Sequence, residues 1–438
     1  MKQLRLIPAL LPVLALLCMM ALAACNPGDL GNEEVAFVRD GHLWTIGPDG
    51  ANAFTVVAQS TPVLGYGLSP DHQIFVFRTL DSAFAQTTAG KKLALNPLTG
   101  LAGDAPGTLN TVGIDGGTPI PLIVSGSQLN ESNAWWSPNG TRLLYREGTN
   151  PVAWWVSQND QPLGIARKAL PDSYSIPSID TQNSMAIGNS ERGIFTTTLA
   201  GTNLTFVQRG ALAGHPLPAS LERVLSQPAH DHPALLYAIM PASQTSGQGQ
   251  FALMLRTSKG ETRELTRCDC RQFAWSPDGN AILYSTAQGY TVLHLQDGAS
   301  FQFNTEHGAI PYWSPDSKAL LLDGPHTLTL VHIATQQIQT LLSDGGALTM
   351  TDGPLPGSLT GVQPVENSLW NVDGRRFVLV TRGRTQWQGQ ALSSGDGLYL
   401  VTLNGQDQPQ GTPQLVDQSS HDTQPGWSYA NPNTSFLF

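Results

Sequence analysis

Short apolar runs bounded by turn-forming residues dominate the chain. QIFVFRTL (73–80), TRLLYRE (141–147), YTVLHLQ (290–296), LTLVHIAT (328–335) and RRFVLVTR (375–382) predict β-strands, some with period-two alternation. After residue 60 no stretch sustains helical periodicity over three turns. An all-β class follows.

The runs are organised by one phrase. FAWSPDGNAILYST (273–286), AWWSPNGTRLLYRE (134–147), PYWSPDSKALLLDG (311–324) and YGLSPDHQIFVFRT (66–79) each place an apolar run just after a turn signal. In the first, Pro277 presets φ for the second position of a type I turn, Ser276 is expected to bond a backbone N–H two residues on, and Gly279 tolerates positive φ. Trp275 and the run Ala281, Ile282, Leu283, Tyr284 suit strands buried on both faces, as in a sheet sandwiched between two others. Weaker copies at SIDTQNSMA (178–186), AHDHPALLY (229–237), NVDGRRFVL (371–379) and SYANPNTSF (428–436) complete the set. With the Ser position as a ruler, marks fall at 69, 137, 178, 229, 276, 314, 371 and 428, about 51 residues apart. That spacing is slightly above the ~40–50 residues of a four-stranded propeller blade.

The W-S-P-D-G phrase and its apolar strand resemble the propeller repeat of TolB and of TolB-like bacterial proteins. The resemblance covers the chain from about residue 60 onward, strongly at 69, 137, 276 and 314. It implies a single β-propeller spanning 34–438, with eight blades or alternatively seven. It further implies a role as a docking platform, although some relatives carry a peptidase domain. Strand-like EVAFVRDGHLWTIGPDG (34–50) has no mark of its own, and only ten residues follow Ser428. The N- and C-terminal strands are therefore expected to share one blade, residues 433–438 pairing with 34–58, because an open ring would expose two edges.

The first 25 residues change the picture of where the chain works. Lys2 and Arg5 precede a long apolar stretch ending in LAAC (22–25), the pattern of a secretion signal. The ending resembles a bacterial lipobox. It implies a signal peptide over 1–24, lipid on Cys25 and a tether over 25–33, so the membrane is the first partner. The expected location is the cell envelope, on the cell membrane or outer membrane, facing periplasm or exterior.

Charge narrows the partners. Without Lys2 and Arg5, 21 basic residues face 33 acidic ones, a net charge of −12, and basic residues do not cluster. Nucleic-acid binding is excluded on that ground, and attachment to anionic headgroups has to come from lipid. Gly 44 and Pro 31 among 438 residues indicate abundant turns without the composition of disorder.

Candidate chemistry is sparse. Cys268 and Cys270 form a CDC tripeptide that reads as a local disulfide, as free thiols or, least well, as a metal or redox site. His230, Asp231 and His232, with His215 upstream, look like a ligand cluster, but the ruler accounts for them as a degenerate turn. The pairs Trp135/Trp136 and Trp154/Trp155 read as inter-blade packing or as a sugar-stacking platform. No nucleophile elbow, H-E-x-x-H or P-loop occurs. No catalytic residue, metal or cofactor is expected, and a monomeric binding scaffold for an envelope protein or extracellular ligand is the leading expectation. A hydrolase or lyase with its site in the channel is the alternative, since such sites lack a local signature. DSAFAQTTAGKKLALNPLTGLAGDAPGTLN (81–110) lies outside the repeat and predicts a projecting insertion; MPASQTSGQGQ (240–250) reads as a flexible connector.

Labelled fatty acid should enter the full-length protein and be lost completely on Cys25→Ser; label that survives the substitution would remove the lipobox reading.

Overall fold

A computed structural model describes residues 33–427, with breaks between many strands and longer gaps at 96–105, 123–133, 210–223, 227–234, 240–250 and 344–368; side chains between 123 and 192 are outside the description. Residues from Glu34 onward form one compact unit. Among the described residues the strands assemble into eight small antiparallel sheets, as the all-β expectation required.

Sheets II to VI each consist of four strands in chain order. Sheet II is Val63–Leu68, Ile74–Leu80, Gly107–Gly113 and Gly116–Pro121, and sheet III is Ala134–Trp136, Arg142–Glu147, Ala153–Gln158 and Arg167–Leu170. Sheet IV runs from Ser175–Asp180 through Met185–Ser190 and Gly193–Thr198 to Thr205–Arg209. Sheet V runs from Val224–Ser226 through Leu235–Ile239 and Phe251–Arg256 to Thr262–Cys268, and sheet VI from Phe273–Trp275 through Ala281–Ser285 and Gly289–His294 to Ser300–Asn304. Sheet VII begins the same way with Ile310–Trp313, Ala319–Asp323, Thr327–His332 and Gln337–Ser343, then gains Gln386–Trp387 and Gln390–Ala391. Sheet VIII holds Arg376–Thr381, Gly397–Thr402 and Gln414–Asp417, with a bridge from Trp370 to Phe377. This is the strand order of propeller blades.

Sheet I joins the two parts of the chain that are farthest apart in sequence. Phe54–Val57, His42–Ile46 and Val35–Arg39 are followed in it by Asp422–Trp427. Val35 lies opposite Trp427, just as Leu143, Ile282, Leu320 and Phe377 lie opposite Trp136, Trp275, Trp313 and Trp370. Val35–Arg39 thus takes the second-strand position of the repeat. The expected pairing of 433–438 is corrected by this register: the strand that pairs is the one before mark 428, and residues 428–438 lie outside the described residues.

Burial explains why each sheet needs neighbours. First and second strands such as Val63–Leu68 and Ala281–Ser285 are buried on almost every position, whereas last strands such as Gly116–Pro121 and Thr262–Cys268 are mostly exposed. Among the described residues, apolar cores lie between five consecutive pairs of sheets. Leu253 and Trp275 share one between V and VI, Val292 and Trp313 one between VI and VII, and Leu330 and Tyr399 one between VII and VIII. Val378 and Phe37 then join VIII to I, and Val38 and Phe75 join I to II.

The conserved geometry of the phrase is a closed turn. Ser276 Oγ accepts from Ala281 N at 2.9 Å and donates to Asp278 Oδ1 at 2.6 Å; Asp278 Oδ1 in turn accepts from Asn280 N. The serine therefore holds the N–H five residues on, and the aspartate serves the one two residues on, which corrects the expected role of Ser276. Ser314, Asp316 and Ala319 repeat this arrangement, and Ser69 holds Ile74 N. At 371 an asparagine substitutes, its Oδ1 accepting from Arg375 N and Arg376 N. Positive φ at the fourth turn position, +71° at Gly279, explains the glycine there, although Ser317 adopts +60°. Mark 178 moves to 180, because the turn in sheet IV lies between Asp180 and Met185, which face each other.

The tryptophan before the mark packs between sheets at 275 and 313 and also hydrogen-bonds the preceding sheet at 370 and 427. Trp370 Nε1 donates to the Tyr312 carbonyl at 3.2 Å and Trp427 Nε1 to the Leu369 carbonyl at 2.9 Å, each reaching the first-strand segment of the preceding sheet. Inter-sheet packing is thus the role of this position.

Removing the Ser276 or Ser314 hydroxyl by alanine leaves a buried strand N–H without its acceptor and should cost about 1–3 kcal/mol each in urea unfolding. The turn carboxylates add a pH dependence. Partial burial raises Asp278 and Asp316, but hydrogen bonds from Ser276, Asn280 and Ser317, and from Ser314 and Lys318, outweigh it and hold both below the usual value. A lowered carboxyl stabilises above its unfolded value and loses that contribution as pH falls through the folded one, so stability should drop below about pH 4. Asp278→Asn with Asp316→Asn should flatten that drop; an unaltered acid profile would contradict the assignment.

Candidate functional site

The two ends of the sheets differ. In an antiparallel meander the first-to-second and third-to-fourth connections leave at one end, and the second-to-third connections and the links between sheets leave at the other. The first end carries the compact turns 69–73, 276–280, 314–318 and 371–375, with 403–413 its longest connection. The strand ends at the second end are joined by the longer stretches of sequence, 81–106, 240–250 and 382–396 within sheets and 122–133, 210–223 and 344–369 between them, of which 96–105, 123–133, 210–223, 240–250, 344–368 and 382–385 lie outside the described residues. Chain length outside the strands is concentrated at this second end. Long connections on a rigid frame are where binding residues tend to lie.

The described part of 81–106 shows how that end is built. Asp81 N bonds the Pro106 carbonyl at 2.9 Å, pinning the insertion's two ends together. Asp81 Oδ1 accepts from Phe84 N at 2.9 Å and caps helix α1, Ser82–Ala85. Thr87 Oγ1 accepts from Gly90 N at 3.0 Å at the start of helix α2, Thr88–Leu95. A Cβ on Gly90 would meet the Phe84 carbonyl oxygen at 2.0 Å, so the two helices approach as closely as they do only because residue 90 is glycine. Phe84 and Ala85 pack on Leu64 and Leu80, which seats the insertion on the end of sheet II. The expected insertion is present, then, with two helical segments that the sequence reading did not contain.

A polar floor lies next to this seat. Arg78 is fully buried, and Thr79, Asp81, Asn110 and Thr111 are buried around its strand and the next. Asn110 Nδ2 reaches the Thr108 carbonyl at 3.1 Å and Thr79 Oγ1 at 3.4 Å. Gly107 gives room to the guanidinium, since a Cβ there would stand 2.7 Å from Arg78 Nε.

The other sequence candidates divide between described and undescribed residues. Cys25, the His230, Asp231 and His232 cluster, His215 and residues 240–250 lie outside the described residues, as does Cys270. Cys268 ends the last strand of sheet V, is buried, and is disulfide-bonded. Trp135 and Trp136 are consecutive in one strand and Trp154 and Trp155 in another, and consecutive strand positions belong to opposite faces of a sheet. Their side chains lie outside the described residues. Among the described residues no group of three His, Cys, Asp or Glu could hold a metal, and no helix is long and apolar enough to cross a membrane.

One constellation escaped the sequence altogether. Arg39 Nε and Nη2 fork onto Asp422 Oδ1 and Oδ2 at 2.6 and 3.1 Å, and Nη2 also bonds Asp417. The guanidinium lies over the rings of Phe37 and Trp44. His421 Nδ1 and Asp40 Oδ1 stand 2.5 Å apart nearby. No local signal could have found a pair 383 positions apart.

No protein-family model and no curated protein matches the chain. Among solved structures, it is similar to a eukaryotic initiation factor at 10% identity and a TM-score of 0.49, covering 91% of this chain and 99% of that one. It is similar to TolB from Acinetobacter baumannii at 12% identity and a TM-score of 0.33, covering 88% and 78%. A functionally unknown protein from Desulfotomaculum acetoxidans gives 11% identity and a TM-score of 0.40, covering 91% and 99%. Likeness at this level says nothing about activity.

Gly90→Val should unseat α2 from α1. Limited proteolysis within 82–105 should accelerate at least about tenfold, while the melting temperature changes by less than about 2 °C because the sheet cores are untouched.

Proposed function

We propose that this is an exported, lipid-anchored, eight-bladed β-propeller that binds an envelope protein or an extracellular ligand at the end carrying its long connections. The observation that supports binding at that end is the asymmetry itself: compact hydrogen-bonded turns close one end, and the helix-bearing 81–106 insertion is seated on the other, where the strand ends are joined by the longer stretches of sequence. Sheet I supports a closed ring, because the chain's two ends supply its adjacent strands and its faces share cores with sheets VIII and II. Eight sheets then make eight blades, with sheet I the composite one. Lipid on Cys25 provides the anchor, and Cys268 with Cys270 forms a small disulfide ring suited to an oxidising compartment. The chain acts as a monomer without cofactor or metal.

Photo-cross-linking in intact cells tests the reading. A probe at exposed Lys91, on α2, should capture a discrete partner, whereas one at exposed Lys318, in a turn at the other end, should capture at least about tenfold less. Equal capture from both sites would remove the asymmetry argument. The full-length protein should show no turnover on ester, glycoside and peptide panels, and sustained turnover would replace binding with catalysis.

A further inference from the structure

We propose that the seam between the two ends of the chain is proton-controlled, its strand pairing tightening as the surroundings become mildly acidic. The geometry has two parts, both at the end of the Val35–Arg39 strand.

The inner part places two carboxylates on one cation. Asp422 is completely buried and takes both arms of the Arg39 fork; Asp417, at the end of the last strand of sheet VIII, bonds the same guanidinium. Asp417 Oδ2 and Asp422 Oδ2 both accept from the same Arg39 Nη2, so the two carboxylates are held side by side on one cation. One guanidinium balances one of the two charges. The second is left in a place where desolvation penalises it, and a shared proton removes the penalty.

The outer part is an exposed contact beside it. Asp40, in the turn after Arg39, and His421, just before Asp422, form an ion pair only when the imidazole is protonated. The groups facing this cluster are Arg39 and Asp40 on one strand and turn, His42 opposite Arg39, Asp417 from sheet VIII, and His421 and Asp422 themselves. The second strand of sheet VIII, packed along Asp422–Trp427, brings its Arg376 over the Trp427 ring at the far end of the seam.

The direction follows from linkage. Burial raises the Asp422 carboxyl, Arg39 opposes this, and Asp417 adds to the rise; the net is upward. A carboxyl raised on folding binds its proton more tightly in the folded state. Its contribution therefore grows as pH falls toward the folded value and is absent at alkaline pH, opposite to the behaviour of Asp278 and Asp316.

Native-state hydrogen exchange on the full-length protein reads the seam directly. Protection of amides in 35–39 and 422–427, taken as a ratio to 281–285 as an internal standard, should rise severalfold as pH falls from about 8 toward the carboxylate range near about 4. Asp417→Asn supplies a permanent donor in place of the proton and should abolish the rise while lifting the ratio at pH 8. A ratio that is flat or falls on acidification overturns the proposal. So does a rise that persists in Asp417→Asn and disappears in His421→Ala, which would assign the control to the exposed pair alone.

Discussion

A small sheet with apolar side chains on both faces cannot be stable by itself, and this constraint organises the whole molecule. Each face of sheets VI, VII and VIII is matched by a face of a neighbour, and the cores built around Trp275, Trp313 and Trp370 are those matches. A linear stack of such sheets would leave one apolar face at each end. Here sheet VIII meets sheet I through Val378, Val380, Phe37 and Trp427, so a face of each is covered by the other. The split of sheet I between the chain's ends serves the same constraint with covalent economy, because the pairing of Val35–Arg39 with Asp422–Trp427 also covers an edge of each segment.

The recurrent turn is best understood as a device for keeping register. Turning between two fully buried strands exposes no side chain to spare, and the strand N–H at the turn still requires an acceptor inside the protein. Ser276 and Ser314 supply it from a buried hydroxyl, and Asn371 from an amide oxygen at the same place. Adjacent turns also touch, since Asp278 N donates to Ser317 Oγ at 2.9 Å. Asp278 and Asp316 are likewise engaged in holding the turn.

Edges are treated case by case. The last strand of sheet VII is covered by Gln386–Trp387, with Trp387 buried and its Nε1 donating to the Gly411 carbonyl at 3.1 Å. The last strand of sheet II carries Pro119 and Pro121, and that of sheet V carries Arg263, Glu264 and Arg267. Proline and charge discourage pairing with another chain, as a covering strand does.

The sequence by itself determined the strands, the repeat and the position of most turns. Local chemistry suffices for those: Ser69, Ser137, Ser276, Ser314 and Asn371 all fall where the register places them, because turn residues act on their own neighbours. Where the turn chemistry is degenerate the ruler slipped, as at 178, since the register puts Asp180, which has no flanking proline, at the place the serine holds elsewhere. The insertion was visible as an interruption of the repeat, but its helices α1 and α2 were not, because they are short and depend on Asp81, Thr87 and a close approach at Gly90. Only the tertiary structure decided which C-terminal segment joins the first sheet, and that Arg39 meets Asp417 and Asp422 there. Pairing across the whole length of the chain has no signature in either segment alone, and a buried charge acquires its meaning from the partner that folding brings to it.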